Sequence, residues 1–334
     1  MATARKLLND PANVVDEMLD GFVVAHGNLV RRVHQRGVAR ADAPVQGKVA
    51  LVIGGGSGHK PAFVGYVGSG GADGAVVGDV FTSPAPDMAL AVTQAVDGGA
   101  GVLYSYGRYQ GDILNFDMAA ELAVDEGIQV ETVLVTDDVA SAPKDRAGER
   151  RGIAGDFFVF KAAGARAEEL ASLEEVKAAA EKANANTRSM GVALAGCTLP
   201  GQTEPNFTLP EGEMEIGLGI HGEPGAHRGP IQSADVVAAD LLERILDDMP
   251  IDRGEEVAVL VNGLGATPLM ELYILFRQVA RQLDGEGIRI HRSYVGEYVT
   301  SLDMTGASLT LLRLDDELRR LVDAPCVTPS FVQV

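Results

Sequence analysis

Short runs dense in Val, Leu and Ile recur along the chain at Lys48–Ile53, Gly74–Val80, Gly101–Tyr106, Val130–Thr136, Glu256–Asn262 and Arg289–Val295. Several are apolar at nearly every position, which predicts strands of a parallel sheet covered on both faces. Between them the apolar spacing changes to three and four residues. Asp87–Asp97 and Leu114–Glu126 read as helices, each ending before a glycine, Gly98 and Gly127. Further start signals lie downstream. Ser172 with Glu175 forms a capping-box pattern opening a charged surface helix through Asn184, Ser233 caps a helix running to Met249, and Thr267-Pro268 opens one to about Leu283. The alternation predicts an α/β class with two α/β domains, residues 1–187 and 188–334, each a largely parallel or mixed sheet flanked by helices.

Charge narrows the function classes. Of 334 residues, 28 are Lys or Arg and 47 are Asp or Glu, a formal net charge of −19. Phosphate backbones are bound through clustered basic residues, so nucleic acid is not the expected partner. With 46% hydrophobic and 22% charged residues the chain can bury a core. The absence of Trp, with 5% aromatic residues, disfavours stacking platforms for bases or sugars. No window approaches ~18 consecutive apolar residues, and the N-terminal segment lacks an apolar secretion core, so the chain reads as soluble and cytoplasmic with no membrane association. Cys197 and Cys326 show no metal-ligand spacing and read as buried thiols of a reducing compartment. Glycine stands out: 40 residues, about 12% against a usual ~7%, predict tight turns, close backbone approaches or ligand loops.

Three segments could carry chemistry. In VALVIGGGSGHKP a strand runs into Gly54, Gly55, Gly56, Ser57, Gly58 and His59, a turn able to present backbone N–H groups to an oxygen-rich ligand or to serve only as a tight turn. The dinucleotide fingerprint G-x-G-x-x-G fails because residue 59 is His, and no Gly-Lys pair completes a P-loop. In MEIGLGIHGEPGAHRG, His221 sits between glycines after an alternating segment, either accessible for chemistry or structural. His227 lies six residues on, without the carboxylate spacing of a metal site. In YSYGRYQGDILNF, Asp112 opens a helix after a strand. It is a helix N-cap or first-turn charge, or a general base at the carboxyl end of the sheet.

Taken together these segments resemble the K, substrate-binding, subunit family of dihydroxyacetone kinases over nearly the whole chain. The resemblance is carried by KLLNDPANVVDEMLDGFVVAH at 6–26, GGGSGH at 54–59, GDVFTSP at 78–84, GDILNF at 111–116, RGIAG at 151–155, GVAL at 191–194, GLGIHGEPG at 217–225 and TSLDMTGASLTLL at 300–312. It implies that a nitrogen of His221 adds to the ketone of a short sugar and forms a hemiaminal, a chemistry open to ketoses and closed to polyols, which offer no electrophile. It implies that His59 and Asp112 are the acid/base residues at the phosphorylated hydroxyl, and that Gly55, Gly56, Ser57, Gly58, His59 and Gly107 surround the substrate. It further implies a homodimer, no cofactor or metal in this chain, and a separate nucleotide-binding L subunit. That partner carries ADP or ATP with Mg²⁺, and it is either recharged by a phosphotransferase-system protein or uses ATP directly.

Two departures bear on specificity. Family members commonly have a lysine five residues before the aspartate, where this chain has Gly107 followed by Arg108, and GGGSGHEP reads GGGSGHKP here, with Lys60. Loss of the lysine opens space and removes a donor, so a four-carbon ketose such as erythrulose becomes an expected substrate. The alternative function is a non-catalytic, ketose-sensing paralogue acting as a transcriptional co-regulator. Retention of His59 and Asp112 beside His221 favours the kinase subunit, because a sensor needs only capture.

Overall fold

The structure, a computed structural model, describes residues 6–334. Its core strand is Ala50–Ser57, buried at every position. A strand with no wet face belongs inside a covered sheet, and this one has six strands. They are β1 (Val30–Val33), β2 (Gly37–Arg40), β3 (Ala50–Ser57), β4 (Gly74–Val80), β5 (Val102–Gly107) and β6 (Val130–Val135), in the order β1-β2-β4-β3-β5-β6. Strands β4, β3, β5 and β6 run parallel, while β1 and β2 form an antiparallel edge. From β3 the chain moves to β4 on one side and then to β5 on the other. The strand order therefore reverses beside β3, and ligands of such sheets bind at the carboxyl ends of the strands there.

Helices α1 (Val14–Ala25), α2 (Pro86–Val96) and α3 (Gln110–Asp125) belong to this first unit. Val92 and Val96 of α2 and Phe116 and Ala119 of α3 pack with Val52, Val76, Val102, Tyr104 and Tyr106 in one buried cluster. The helix expected over 114–126 begins four residues earlier, which puts Asp112 inside its first turn.

Two further helices follow, α4 (Asp156–Glu168) and α5 (Leu173–Ala185). The capping box at α5 forms as expected: Ser172 N–H donates to Glu175 Oε2 at 2.9 Å and Glu175 N–H to Ser172 Oγ at 3.3 Å.

The second unit holds β7 (Thr187–Ala195), β8 (Glu213–Ile216), β9 (His227–Pro230), β10 (Glu256–Gly263), β11 (Arg289–Gly296) and β12 (Thr305–Leu314), ordered β11-β10-β12-β7-β8-β9. Only β10 and β11 are parallel, joined through a helix, so the sheet is mixed. Helices α6 (Ala234–Asp248) and α7 (Leu269–Glu286) cover it with Val237, Leu241, Ile245, Leu272, Val279 and Leu283. Ser233 precedes α6 but makes no side-chain cap. Thr267 does not cap α7, whose N-cap is Pro268. Its hydroxyl instead donates to Gly306 O at 2.6 Å and accepts from Gly306 N–H at 2.8 Å, tying the helix start to β12.

Strands β7 and β12 have no counterpart among the apolar runs. Both carry polar residues into the sheet interior, where they pair: Ser189 Oγ and Thr310 Oγ1 lie 2.7 Å apart, and Asn262 Nδ2 of β10 donates to Ser308 Oγ at 3.1 Å. A satisfied polar pair is tolerated in a core, but it erases the apolar signature of the strand.

The chain ends in α8 (Asp316–Asp323), β13 (Cys326–Val327) and β14 (Val332–Gln333). This last segment returns to the first unit, where Lys161 Nζ donates to Leu321 O at 2.8 Å. The first unit thus comprises described residues 6–135, Phe158–Ala183 and Leu318–Val334, and the second Thr136–Phe157 and Asn184–Glu317. The chain passes between units four times, where the sequence suggests one boundary at 187/188. Neither Cys197 nor Cys326 is disulfide-bonded, and both are buried. Among the described residues, no helix is long and apolar enough to cross a membrane.

Candidate functional site

The carboxyl ends of the parallel strands gather three of the sequence motifs in the first unit. Gly54–Ser57 finish β3, and Gly58 and His59 form the turn that follows. Ser57 Oγ donates to Gly78 O at 2.7 Å, and Phe81 N–H donates to Ser57 O at 2.9 Å, so GDVFTSP is fastened to GGGSGH. A side chain at Gly56 would lie 2.7 Å from Thr82 N and 2.8 Å from Phe81 Cα, so only glycine allows this approach. His59 is buried, with its ring stacked on Phe81 at 5.1 Å between centroids. GDILNF joins through Asn115, whose Nδ2 donates to Ser83 Oγ at 3.1 Å.

Asp112 is buried in the first turn of α3, where the helix dipole favours a carboxylate. Burial, reinforced by the charges of Asp117 and Asp112, pushes the Tyr106 phenol far above its ordinary range and keeps it neutral. Gly107 is the last residue of β5, paired with Val135. Lys60 follows His59 directly, and burial pulls its ammonium down to about 8.

His221 stands in the second unit, on the turn between β8 and β9. Its Nδ1 lies 2.9 Å from Glu223 Oε1, and its backbone N–H donates to Glu223 Oε2 at 3.0 Å. One carboxylate therefore holds both the ring and the backbone of the histidine. Burial raises the Glu223 carboxyl, but the His221 hydrogen bond and charge, aided by Arg151, outweigh it and bring it to about 2. Arg151 Nη1 is 3.9 Å from Glu223 Oε2. The same guanidinium pairs with Asp138 Oδ2 at 2.8 Å and donates to Gly217 O at 3.3 Å. Burial lifts Asp138 to about 6, with Arg151 opposing and Asp137 adding to the rise.

Distant segments lock the rest of the turn. Asn206 Nδ2 donates to His221 O at 2.9 Å, and Ser301 Oγ donates to Ile220 O. Asp137 accepts from Ile153 N–H and Gly155 N–H, both at 2.8 Å, which fixes RGIAG and so aims Arg151. Burial raises the Asp137 carboxyl.

His59, Asp112, Gly55–Gly58 and Gly107 thus all lie at the carboxyl ends of the central strands β3 and β5 of the first unit, and His221 belongs to the second. His227 heads the exposed strand β9. Among the described residues, no group of three or more His, Cys, Asp or Glu is arranged to hold a metal ion. Glu223, Arg151, Asn206 and Ser301 carry no role in the sequence reading. Glu223 had a usable signal, a carboxylate two residues beyond a glycine-flanked histidine. Arg151 and Ser301 lie in quoted motifs, but nothing local points them at His221.

The first unit is a doubly wound sheet with its glycine turn, histidine and aspartate at the switch point, and the second a mixed sheet that carries a histidine held by a carboxylate. The Dak1 domain model matches residues 20–330, and the chain belongs to that family. It is 51% identical over 329 residues to the dihydroxyacetone-binding subunit DhaK of PTS-dependent dihydroxyacetone kinase 2 from Listeria innocua, covering 98% of this chain and 99% of that protein. It is also 51% identical over 326 residues to the D-erythrulose kinase of Mycolicibacterium smegmatis, covering 98% of this chain but 56% of that longer protein. Among solved structures, the dihydroxyacetone kinase from C. freundii in complex with AMP-PNP and Mg²⁺ superposes with TM-score 0.89 at 36% identity, over 99% of this chain and 61% of that one. The dihydroxyacetone kinase operon co-activator Dha-DhaQ also superposes with TM-score 0.89, at 32% identity, over 95% of this chain and 98% of that one.

Proposed function

We propose that the chain is the substrate-binding subunit of a ketose kinase, working as a cytoplasmic homodimer. It captures a short ketose, dihydroxyacetone or a four-carbon ketose such as erythrulose, as a hemiaminal on His221. It presents the terminal hydroxyl for phosphoryl transfer from a separate nucleotide-binding subunit that carries ADP or ATP with Mg²⁺. The observation that carries this reading is the Glu223–His221 pair. A carboxylate 2.9 Å from Nδ1 keeps the ring proton there, which leaves the Nε2 lone pair to attack a carbonyl.

Asp112 takes the proton of the reacting hydroxyl, with His59 as its acid/base partner. Their place at the carboxyl ends of β3 and β5 suits that role. Gly55, Gly56, Ser57, Gly58 and Gly107 surround the substrate, and the glycine at 107 leaves room for a fourth carbon. Similarity to a D-erythrulose kinase supports that enlargement. Similarity to an operon co-activator keeps a sensing role as the second reading, in which ketose is captured and never phosphorylated.

One experiment separates the two. The chain is incubated with dihydroxyacetone, D-erythrulose or L-erythrulose and examined by intact-protein mass spectrometry, then assayed for phosphorylation with its nucleotide-binding subunit. An adduct lost in His221→Ala, with turnover of at least one ketose, supports the kinase subunit. An adduct without turnover favours the sensor, and an adduct persisting on the alanine variant refutes the assignment of His221. Turnover of the triose alone refutes the enlarged specificity.

A further inference from the structure

We infer that ketose capture by His221 takes up one proton, because the Glu223 carboxylate forbids an unprotonated Nδ1 on the adduct. This deepens the proposed function and rests on His221 being the capturing group. In the attack, the Nε2 lone pair forms the N–C bond while the carbonyl π pair moves to oxygen. The oxygen then needs a proton, and two sources exist. If Nδ1 gave up its proton, the product would be a neutral alkyl imidazole and no net proton would be bound. The bare Nδ1 lone pair would then point at a carboxylate oxygen 2.9 Å away, two acceptors face to face. If instead the proton stays between Nδ1 and Oε1, the alkoxide is protonated from solvent, and one proton is bound per adduct.

Glu223 cannot turn away to relieve the conflict. Its second oxygen accepts the His221 backbone N–H at 3.0 Å. Arg151 stands 3.9 Å behind that oxygen, itself held by Asp138 at 2.8 Å. Gly219 leaves the space both side chains fill, since a Cβ there would lie 2.6 Å from Arg151 Nη1 and overlap Glu223 Oε2. The fixed charges thus run negative, positive, negative through Asp138, Arg151 and Glu223, and a positive ring completes the alternation. With its carboxyl held near 2, Glu223 stays ionised through the neutral range. The remaining charged groups about the turn are already engaged. Glu215 accepts the Gly225 N–H and pairs with Arg228 at 2.7 Å, and Asp137 is bound to the Ile153 and Gly155 amides.

The test is calorimetric titration with dihydroxyacetone at pH 8.5, above the ordinary imidazole range, in buffers of different ionisation enthalpy. The slope of apparent enthalpy against buffer enthalpy counts the protons bound. The Lys60→Gln protein is measured alongside, because the Lys60 amine also titrates near this pH. Wild type and Lys60→Gln should both bind one proton per adduct, and the dissociation constant should rise about tenfold per pH unit between 8 and 10. In Glu223→Gln the amide oxygen can keep the backbone N–H while its NH₂ donates to a bare Nδ1. That variant should form a mass-detectable adduct with no proton uptake. A wild-type slope of zero with the adduct present overturns the inference, whatever the folding of the variant, and so does uptake that persists in Glu223→Gln or vanishes in Lys60→Gln. No adduct in the wild-type mass spectrum would instead refute the function proposed for His221, and this inference with it.

Discussion

Gly219→Ala is the sharpest probe of the His221 turn, because it perturbs the histidine proposed to capture the ketose without touching it. The added Cβ would overlap Glu223 Oε2 and stand 2.6 Å from Arg151 Nη1. That overlap cannot be accommodated with the carboxylate in place, so it is forced out and its two bonds to His221, at 2.9 and 3.0 Å, are lost or stretched. A hydrogen bond to a charged group contributes about 1.5–3 kcal/mol. Losing the ring bond alone should therefore weaken ketose capture roughly 10- to 150-fold. The assay is ketose titration followed by intact-protein mass spectrometry, with the melting temperature as a control for folding. The same substitution is then made in a Glu223→Ala background. If the glycine acts by making room for the carboxylate, its cost there falls to within about 0.5 kcal/mol of zero, since the two sites share one interaction. Capture at wild-type strength in Gly219→Ala, or an equal loss in both backgrounds, would refute this account.

Three other expectations follow from the same geometry. Asp112→Asn should retain the His221 adduct and lose turnover with the nucleotide-binding subunit, read by mass spectrometry and a phosphorylation assay on one preparation. Asp73 accepts from Lys48 Nζ at 2.5 Å, Arg40 Nη1 at 3.1 Å and Leu51 N–H at 2.8 Å, all buried. Asp73→Ala takes from buried Lys48 its near carboxylate, leaving it Glu168 at 3.8 Å, while Arg40 keeps Asp42 and Glu168; it should cost about 3–5 kcal/mol in urea unfolding, and a loss below 1 kcal/mol would show the cluster to be solvated. Glu223 is depressed in the folded chain, so its contribution to stability is present above the ordinary carboxylate range and is lost as pH falls toward about 2. Urea midpoints measured from pH 6 to 2.5 should therefore fall less steeply for Glu223→Gln than for wild type.

Much of the first unit was legible because its strands are simple. The apolar runs match strand β4 over its full length and β3 and β5 to within a few residues, since a fully covered parallel strand is apolar at almost every position, and they match the half-covered outer strand β6 nearly as well. The second unit was harder to read. Strands β7 and β12 pair Ser189 with Thr310 in the core, and polar residues that satisfy each other there look like a loop in the sequence. Thr267 and Pro268 had the spelling of a helix start, yet the threonine hydroxyl is spent on Gly306, a partner 39 residues away.

The candidate site divides in the same way. His59, Asp112 and His221 are marked locally, by glycines and strand ends. The groups that hold His221 in place are not. Asn206 reaches it across 15 residues, while Arg151 arrives from a segment whose own aim depends on Asp137. By itself the sequence determined the α/β class, the parallel strands of the first sheet and the candidate residue types, because those follow from periodicity and short-range spelling; the antiparallel strands β1 and β2 were not among its apolar runs. Only the tertiary structure decided which charged groups stand beside the His221 ring. That choice rests on a carboxylate, a guanidinium and a missing Cβ converging from separate stretches of chain, and no local pattern records such a convergence.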